Sequence, residues 1–383
     1  MIKYLSMFSG IGAPEQALKN IGIDYDLVGF SEVDKYAIQS YCAVHDADII
    51  LDHLGDITKI DIDSLPVNEI DLITHGSPCQ DFSVAGNNKG GDEGSGTRSS
   101  LMWNTVKIVE HCKPKYVLWE NVKNVLSKRH KHNFDKYINE MNRIGYNNYY
   151  KVLNAKNFGI PQNRERIFVI SIRKDLNKNF EFPQGHKSEI RLKDFLEKTV
   201  DESYYIDNEN YRQIVLEDNN FKTNAAIYNS NDFIIADYRY DDGVRVRRNG
   251  ISPCLTRSVG SSGLSGNPLI IDRLLIKNNT KQGYLEAYPG DGIDLENLAS
   301  KTRRGRVQEQ SIQTINTTDH KGVLTNDFRI RKLTPLECWR LMGFKDEQFY
   351  KAAKVCSNSQ LYKQAGNSIV VNVLEEIFKN LFK

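Results

Sequence analysis

Residues 2–20 read IKYLSMFSGIGAPEQALKN and contain a strand-like run, a glycine loop and a helix-like run in succession. The apolar run Lys3–Phe8 predicts a buried strand, and Ala13–Asn20 has the spacing of a helix. Between them, Gly10 and Gly12 allow the backbone to approach a ligand closely, and the helix N-terminus offers free N–H groups. Such a unit is typical of doubly wound α/β folds that bind adenosine-containing cofactors, although a plain tight turn is the alternative.

The same alternation of strand-like and helix-like segments continues to residue 182. It predicts a mostly parallel, doubly wound sheet that is covered by helices on both faces. The further predicted strands are Asp26–Ser31, Ile70–Thr74, Tyr116–Trp119 and Ile167–Ser171. The predicted helices between them are Asp34–Ala43, Arg98–His111 and His132–Ile144.

The character of the chain changes after residue 182. Residues 183–328 are rich in Asn, Asp, Ser and Gly and have short apolar runs, with one helix-like segment at Ile190–Leu196. Thr334, Pro335 and Glu337 then form a helix start with a capping box, and Ser368–Phe382 has the pattern of an amphipathic helix. We therefore expect a catalytic domain at 1–182, an inserted mostly β domain at 183–328, and returning helices at 329–383.

Composition excludes several classes of protein. The 383 residues are 40% hydrophobic with a net charge of +2, and no stretch approaches the roughly 18 uncharged apolar residues of a membrane span. The N-terminal sequence lacks the features of a signal peptide, so we expect a cytoplasmic protein. The 6 cysteines form no C-x-x-C pair, so neither a zinc site nor a disulfide framework is expected and a thiol is available for chemistry.

Glu32 and Cys79 each follow a predicted strand, where active sites of doubly wound sheets form. Glu32 comes about 20 residues after the glycine loop, where an acid typically accepts hydrogen bonds from ribose hydroxyls. Pro78 stiffens the backbone that presents the Cys79 thiol. A buried structural cysteine is the alternative, but the polar, glycine-rich sequence 81–99 predicts a mobile loop that closes over a substrate.

Glu120 and a pair of arginines complete the candidate site. Glu120 follows the strand that ends at Trp119, so we expect its carboxyl group across a crevice from the cysteine, with a helix-capping acid as the alternative. Arg164 and Arg166 alternate before the next strand, which puts both guanidinium groups on one face. They suit paired hydrogen bonds to a base oxygen or a phosphate, and an exposed ion-paired edge is the alternative.

The order and spacing of these blocks resemble the cytosine C5-specific DNA methyltransferase family over nearly the whole chain. The matching residues are Phe8–Gly12, Glu32, Asp56-Ile57, Pro78-Cys79-Gln80 with Phe82-Ser83, Glu120-Asn121-Val122, Gln162, Arg164, Arg166, Arg331–Phe344, Gln364, Gly366, Asn367 and Ser368. The chain departs from the family pattern at Ala13 and Pro14, where a further glycine or an aromatic residue is common. This departure affects the expected cofactor-loop contacts and not the expected reaction.

The resemblance implies an S-adenosylmethionine-dependent methyltransferase fold with an inserted target-recognition domain, and S-adenosylhomocysteine as a product. It implies Cys79 as the nucleophile toward cytosine C6, Glu120 as the partner of N3, and Arg166 as the group that holds O2. Arg164 is expected to support the site or bind a phosphate, and no metal is expected. The implied cofactor contacts are Phe8, Gly10, Ile11, Gly12, Glu32, Val33, Asp56, Ile57, Pro78, Leu101, Asn367 and Ser368.

Double-stranded DNA is the expected partner, and the target base must be flipped because C5 chemistry is not reachable inside a duplex. The candidate DNA contacts are Gln80, Ser83, Lys89, Arg98, Arg245, Arg247, Arg248, Arg303, Arg304 and Arg306. The arginine clusters of the insertion suit guanine edges or phosphates, and a solvated basic loop is the alternative.

Two other functions stay open at this point. One branch of the family methylates transfer RNA, but its recognition region is short, whereas the insertion here is long. A non-catalytic DNA-binding protein on the same fold would lack the nucleophile or the acid, and this chain has Cys79, Glu120 and Arg166. We expect a monomer that acts on bacterial or phage DNA at the nucleoid, with or without a cognate restriction endonuclease.

Overall fold

The computed structural model describes most of the chain and divides it into two compact units, Met1–Glu189 with Cys338–Lys383, and Ile190–Glu337. The described residues are 1–78, 91–92, 94–186, 189–205, 234–239, 243–246, 268–271, 273–300, 302, 304–326 and 329–383, with backbone only for 98, 234–239, 243–246 and 268–271. The predicted site residues outside this part are Cys79, Gln80, Ser83, Lys89, Arg247, Arg248 and Arg303.

A seven-stranded sheet forms the centre of the first unit. The strands of this unit are β1 (Ile2–Met7), β2 (Tyr25–Ser31), β3 (His53–Gly55), β4 (Leu72–His75), β5 (Tyr116–Val122), β6 (Tyr146–Asn154), the short β7 (Gln162–Asn163) and β8 (Glu165–Arg173). The order in the sheet is β3-β2-β1-β4-β5-β8-β6, and only β8 runs against its neighbours. The carboxyl ends of the six parallel strands and the start of β8 therefore lie at one edge.

The helices are α1 (Ala13–Asn20), α2 (Lys35–His45), α3 (Met102–Cys112), α4 (Lys131–Arg143), α5 (Pro335–Arg340), α6 (Asp346–Ala353), α7 (Asn358–Asn367) and α8 (Val371–Leu381). One core cluster joins the sheet to α3 and α4 through side chains such as Ile73, Trp119 and Phe134. On another side of this unit, α8 packs against α1 and buries Leu374 and Phe378. Full burial of a side chain of this size stabilises the fold by about 1.5 to 3 kcal/mol.

The second unit is built from short antiparallel strands, as the sequence predicted. Its strands are β9 (Ile234–Arg239), β10 (Gly243–Val246), β11 (Pro268–Ile271), β12 (Leu274–Lys277), β13 (Tyr284–Ala287), β14 (Gly292–Asp294), β15 (Val307–Gln308), β16 (Ile312–Gln313), β17 (Lys321–Leu324) and β18 (Ile330–Lys332). They include the sheets β10-β9-β11, β12-β13 and β15-β14-β17-β18. Ile276, Ile293 and Leu324 are at the centre of its own small core. The predicted fold class is confirmed.

The helix start at Thr334 has the geometry that the sequence predicts. The Glu337 N–H donates to Thr334 Oγ1 at 3.2 Å, and the Thr334 N–H donates to Glu337 Oε2 at 2.8 Å. The same carboxylate receives two hydrogen bonds from Arg331, at 2.7 and 2.8 Å, and both side chains are buried. This capping box therefore also neutralises a buried charge.

Two predicted elements and the predicted domain boundaries differ from the structure. The helix predicted at Ser368–Phe382 is present as α8 but has the narrower bounds Val371–Leu381, because Ser368, which directly follows α7, is extended. The segment Ile190–Leu196 forms only a short 3-10 turn at Leu192–Phe195. The boundaries of the second unit also fall later than 183 and 328, at Ile190 and Glu337. Among the described residues, no helix has the length and apolar character to cross a membrane.

Candidate active site

The loop that precedes position 79 and the carboxyl group of Glu120 lie at the same edge of the sheet. Strands β4 and β5 are parallel neighbours, with His75 opposite Trp119, so Gly76 and Glu120, the next residue of each chain segment, are close in space. A methyl group built on Gly76 would lie 3.7 Å from Glu120 Oε2, which is ordinary contact distance. Cys79 itself lies outside the described residues, and Gly76–Pro78 lead directly into it.

Glu120 is buried, with 8% of its surface exposed, and Arg166 Nε lies 3.2 Å from its Oε1 atom. Burial raises the pKa of the Glu120 carboxyl above its ordinary value, and the positive charges of Arg166 and Arg164 offset only part of that effect. A carboxyl group with a raised pKa keeps its proton at a higher pH than an exposed glutamate does. This is the property that a general acid needs.

Three side chains fix the backbone that leads into the predicted nucleophile. Asn121 Nδ2 donates to the Ser77 carbonyl at 3.2 Å, and Trp119 Nε1 donates to Ser77 Oγ at 3.0 Å. Ser99 Oγ donates to the Pro78 carbonyl at 2.9 Å. The sequence did not assign these roles, although Trp119 and Asn121 flank the acid and their strand position places them beside this loop.

A neutral histidine lies beneath that loop. The His75 ring stacks on Trp119 at 5.9 Å between centroids, and His75 Nε2 lies 3.2 Å from the Tyr137 hydroxyl. Complete burial lowers the pKa of His75 to about 3. The ring is therefore uncharged near neutral pH and acts as packing below the loop.

Arg164 has a different position from its neighbour Arg166. It is buried, and its Nη2 donates to the carbonyl groups of Gly366 at 3.1 Å and Ser368 at 2.7 Å. These contacts hold the extended segment between α7 and α8. These contacts fit the expected role of Arg164 in supporting the site, and that role stays a prediction.

The glycine loop after β1 is joined to the end of β2 by Glu32. The Glu32 carboxylate accepts hydrogen bonds from the N–H groups of Gly10 at 3.0 Å, Val33 at 2.7 Å and Asp34 at 2.9 Å. Gly10 and Gly12 have φ angles of 55° and 76°, a left-handed backbone that favours glycine. The acid thus fixes the loop in the conformation that the glycines permit.

Asp56 and Ile57 follow β3, so three neighbouring parallel strands end in predicted cofactor residues. Asp56 Oδ1 accepts from the Thr58 N–H and hydroxyl, both at 2.9 Å, and these bonds lower the pKa of Asp56. Ile57 is buried, whereas the Val33 side chain is 70% exposed. The other predicted cofactor residues in unit one divide into half-buried Phe8 and Leu101, buried Ile11 and Ser368, and exposed Asn367.

The predicted DNA contact at Arg306 is corrected by its surroundings. Arg306 is 1% exposed, and its guanidinium donates to the carbonyl groups of Asp294, Glu296, Asn297 and Leu298 at 2.8 to 3.4 Å. A side chain used in this way shapes its own loop. Arg304 is exposed, and the structure describes Arg98 and Arg245 by their backbone only. Within the described residues, no cluster of His, Cys, Asp and Glu could hold a metal ion.

Comparison with known proteins gives a consistent family. The C-5 cytosine-specific DNA methylase family matches residues 2–383. The orphan methyltransferase M.SPRI of Bacillus phage SPR is 36% identical, over 99% of this chain and 97% of its own length. The type II methyltransferase M.HhaI of Haemophilus parahaemolyticus is 32% identical, over 99% and 94%.

Solved structures agree at the level of the fold. The methyltransferase EhMeth of Entamoeba histolytica superposes with a TM-score of 0.58 at 17% identity, covering 100% of this chain and 98% of its own. The S. pombe Dnmt2 methyltransferase gives 0.53 at 19%, with coverages of 100% and 98%. Because the sequence matches span almost the whole chain at more than 30% identity, this chain belongs to the C-5 cytosine-specific DNA methylase family and methylates C5 of cytosine in DNA.

Proposed function

We propose that the chain transfers a methyl group from S-adenosylmethionine to C5 of a cytosine flipped out of double-stranded DNA, through a covalent bond between Cys79 and C6. The observation that carries the proposal is the buried Glu120–Arg166 pair beside the fixed backbone Gly76–Pro78. This arrangement sets an acid and a cation next to the residue that follows Pro78.

The first step follows from the chemistry of the pyrimidine ring. C5 of cytosine is a weak nucleophile until a thiolate adds to C6, and a thiolate is both a strong attacker and an acceptable leaving group. As the Cys79–C6 bond forms, the ring electrons move toward N3, which takes a proton from Glu120. Arg166 donates hydrogen bonds to O2 and stabilises the charge that develops there.

The later steps restore the ring. When bound, S-adenosylmethionine supplies a methyl group on a cationic sulfur, which the electron-rich C5 carbon accepts. A water molecule then removes the C5 proton, the C5–C6 double bond forms again, and the C6–S bond breaks. N3 returns its proton to Glu120, and Cys79 leaves as a thiolate.

The residues at the ends of β1, β2 and β3 fit an adenosine-containing donor. The glycine loop allows close approach of the ligand, the Glu32 carboxylate suits ribose hydroxyls, and the exposed Val33 side chain suits an adenine face. Ser9 Oγ is buried and has no hydrogen-bond partner among the described residues, so a polar ligand group could satisfy it. The proposed contacts are Phe8, Gly10, Ile11, Gly12, Glu32, Val33, Asp56, Ile57, Pro78, Leu101, Asn367 and Ser368.

We assign sequence recognition to the unit Ile190–Glu337, in which Arg304 is one of the exposed cations. The enzyme is proposed to act as a monomer at the bacterial nucleoid. Relatives with orphan and type II names both match the chain, so the proposal does not require a cognate restriction endonuclease.

A trapping experiment tests the covalent step. In duplex DNA with 5-fluorocytosine at the target, the last step cannot occur, because fluorine replaces the C5 proton that must leave. Wild-type protein with S-adenosylmethionine should give a stable protein–DNA adduct in denaturing gels and mass spectra. Cys79→Ser should give none, and Cys42→Ser, the control at a half-buried thiol, should give the wild-type amount. An adduct formed by Cys79→Ala would refute the assignment.

A further inference from the structure

An open cleft of about 360 Å³ lies at the end of β6, and the proposed reaction does not use it. We call it the β6 cleft. Its lining belongs entirely to the first unit and consists of Lys151, Val152, Leu153, Asn154, Lys156, Asn157, Phe158, Glu165, Pro183 and Gly185. The β6 cleft is therefore a feature of the first unit alone.

The β6 cleft opens at the catalytic edge of the sheet. Strands β5 and β6 both pair antiparallel with β8, so β6 ends at the same edge as β5. Phe168 of β8 lies opposite Glu120 on one side and Lys151 on the other, so the three residues form one row across the sheet. Directly opposed residues share a face, and two strand spacings put the Lys151 backbone about 10 Å from that of Glu120.

The charge of the cleft is positive. The ammonium groups of Lys151 and Lys156 have no hydrogen-bond or ion-pair partner among the described residues. The acid in the lining, Glu165, is engaged with Lys123 outside it, at 3.1 Å. Because Glu165 and Lys123 neutralise each other, Lys151 and Lys156 give the cleft a net positive charge. A cationic polar cleft of this kind suits phosphodiester oxygens.

We propose that the β6 cleft binds the phosphate backbone of the target strand beside the flipped cytosine, with Lys151 and Lys156 as the phosphate contacts. The inference rests on the proposed function and adds the path of the strand across the catalytic unit. A flipped base that reaches Glu120 carries its sugar and phosphates outward by about the length of one nucleotide. Lys151, in the same row and two strands away, is placed to meet that part of the backbone.

The salt dependence of DNA binding tests the inference. Each phosphate contact contributes about 0.9 to the slope of log K against log salt, so Lys151→Gln/Lys156→Gln should reduce the slope by about 1.8. Loss of two contacts should weaken binding at low salt about 10-fold or more. The rate at saturating DNA and the affinity for the methyl donor should not change. Lys107→Gln/Lys354→Gln removes two exposed lysines elsewhere on this unit and should keep the wild-type slope.

Neutral methylphosphonate linkages locate the contact. Placed beside the target cytosine in the target strand, they should weaken binding to the wild type and have no further effect on the double variant. In the complementary strand they should affect both proteins equally. A double variant with the wild-type slope, or with wild-type sensitivity to these linkages, overturns the inference, as does a change of slope seen with transfer RNA and not with duplex DNA.

The two proposals fail separately. A wild-type protein that binds duplex DNA but forms no adduct with 5-fluorocytosine contradicts the proposed covalent mechanism. The difference between the wild type and the double variant in the slope of log K against log salt still decides the role of the β6 cleft. Conversely, normal trapping by the wild type with an unchanged slope in the double variant contradicts only the cleft.

Discussion

Replacing Glu120 with glutamine tests the central electrostatic argument. The change keeps the size of a side chain that is 8% exposed and removes only its ability to release a proton. Because the amide cannot supply a proton to N3, we expect methyl transfer to slow by about 100- to 10,000-fold, the usual contribution of a general acid. That loss equals about 3 to 5 kcal/mol of activation free energy.

The same variant should change how stability depends on pH. Burial raises the folded pKa of Glu120 above its ordinary value of 4.5, so folding favours the protonated form. The stabilisation that comes from the protonated Glu120 side chain is complete below the pKa of the unfolded state. It is lost as the pH rises through the higher pKa of the folded state. The free energy of unfolding of Glu120→Gln, relative to wild type, should therefore increase over that pH range.

The assay combines single-turnover methyl transfer with denaturant unfolding across this pH range. Glu69→Gln is the matched control, because Glu69 is an exposed acid paired with Lys3 and lies away from the site. It should keep the wild-type rate. Glu120→Gln with a rate within a few-fold of wild type would refute the role of Glu120 as proton donor. A stability difference that falls with rising pH would refute the assigned direction of the pKa shift.

Three further substitutions test separate parts of the structure. Glu32→Ala removes the acceptor of three backbone N–H groups, so the calorimetric Kd for the methyl donor should rise about 10-fold or more, with DNA affinity unchanged. Trp119→Phe removes the indole N–H that donates to Ser77 Oγ, so the single-turnover rate should fall about 10-fold. The affinity for the methyl donor should not change. Arg306→Met leaves buried carbonyl groups unpaired and should cost about 3 kcal/mol in denaturant unfolding, whereas the exposed Arg304→Met should change stability by less than about 0.5 kcal/mol. An unchanged Kd in Glu32→Ala, an unchanged rate in Trp119→Phe or an unchanged stability in Arg306→Met contradicts the corresponding contact.

The elements that the sequence predicted well have strong local patterns. Strands β1, β4 and β5 are apolar runs; predicted site residues follow β1 and β4 within a few positions, whereas Glu120 lies inside β5, which continues past the predicted end at Trp119. Strand β6 was missed, because Tyr146–Asn154 contains Asn, Tyr and Lys and is a strand through its long pairing with β8. Helix α7 was missed for a similar reason, since Asn358–Asn367 has few apolar residues in its sequence.

The roles of individual arginines depended on contacts that no local pattern contains. Arg164 and Arg166 look equivalent in sequence, but Arg164 bonds to Gly366 and Ser368, which lie 202 and 204 positions away along the chain. Arg306 belongs to a basic cluster that the sequence predicts to be exposed, yet its guanidinium donates hydrogen bonds to backbone carbonyl groups of its own loop. Burial also decides the chemistry of Glu120, since its raised pKa comes from desolvation and not from its neighbours in sequence.

The Glu120–Arg166 pair also bears on which base the site accepts. A protonated Glu120 is a donor, so it suits the N3 atom of cytosine, which is an acceptor, and opposes the N3–H group of uracil or thymine. A buried donor that faces another donor costs about 1 to 3 kcal/mol. Arg166 uses Nε for Glu120 and Nη1 for the Glu165 carbonyl, which leaves guanidinium donors for O2, an atom that these pyrimidines share. Discrimination among pyrimidines in the proposed site therefore depends on the proton of Glu120, and the same burial that makes the residue an acid makes it selective.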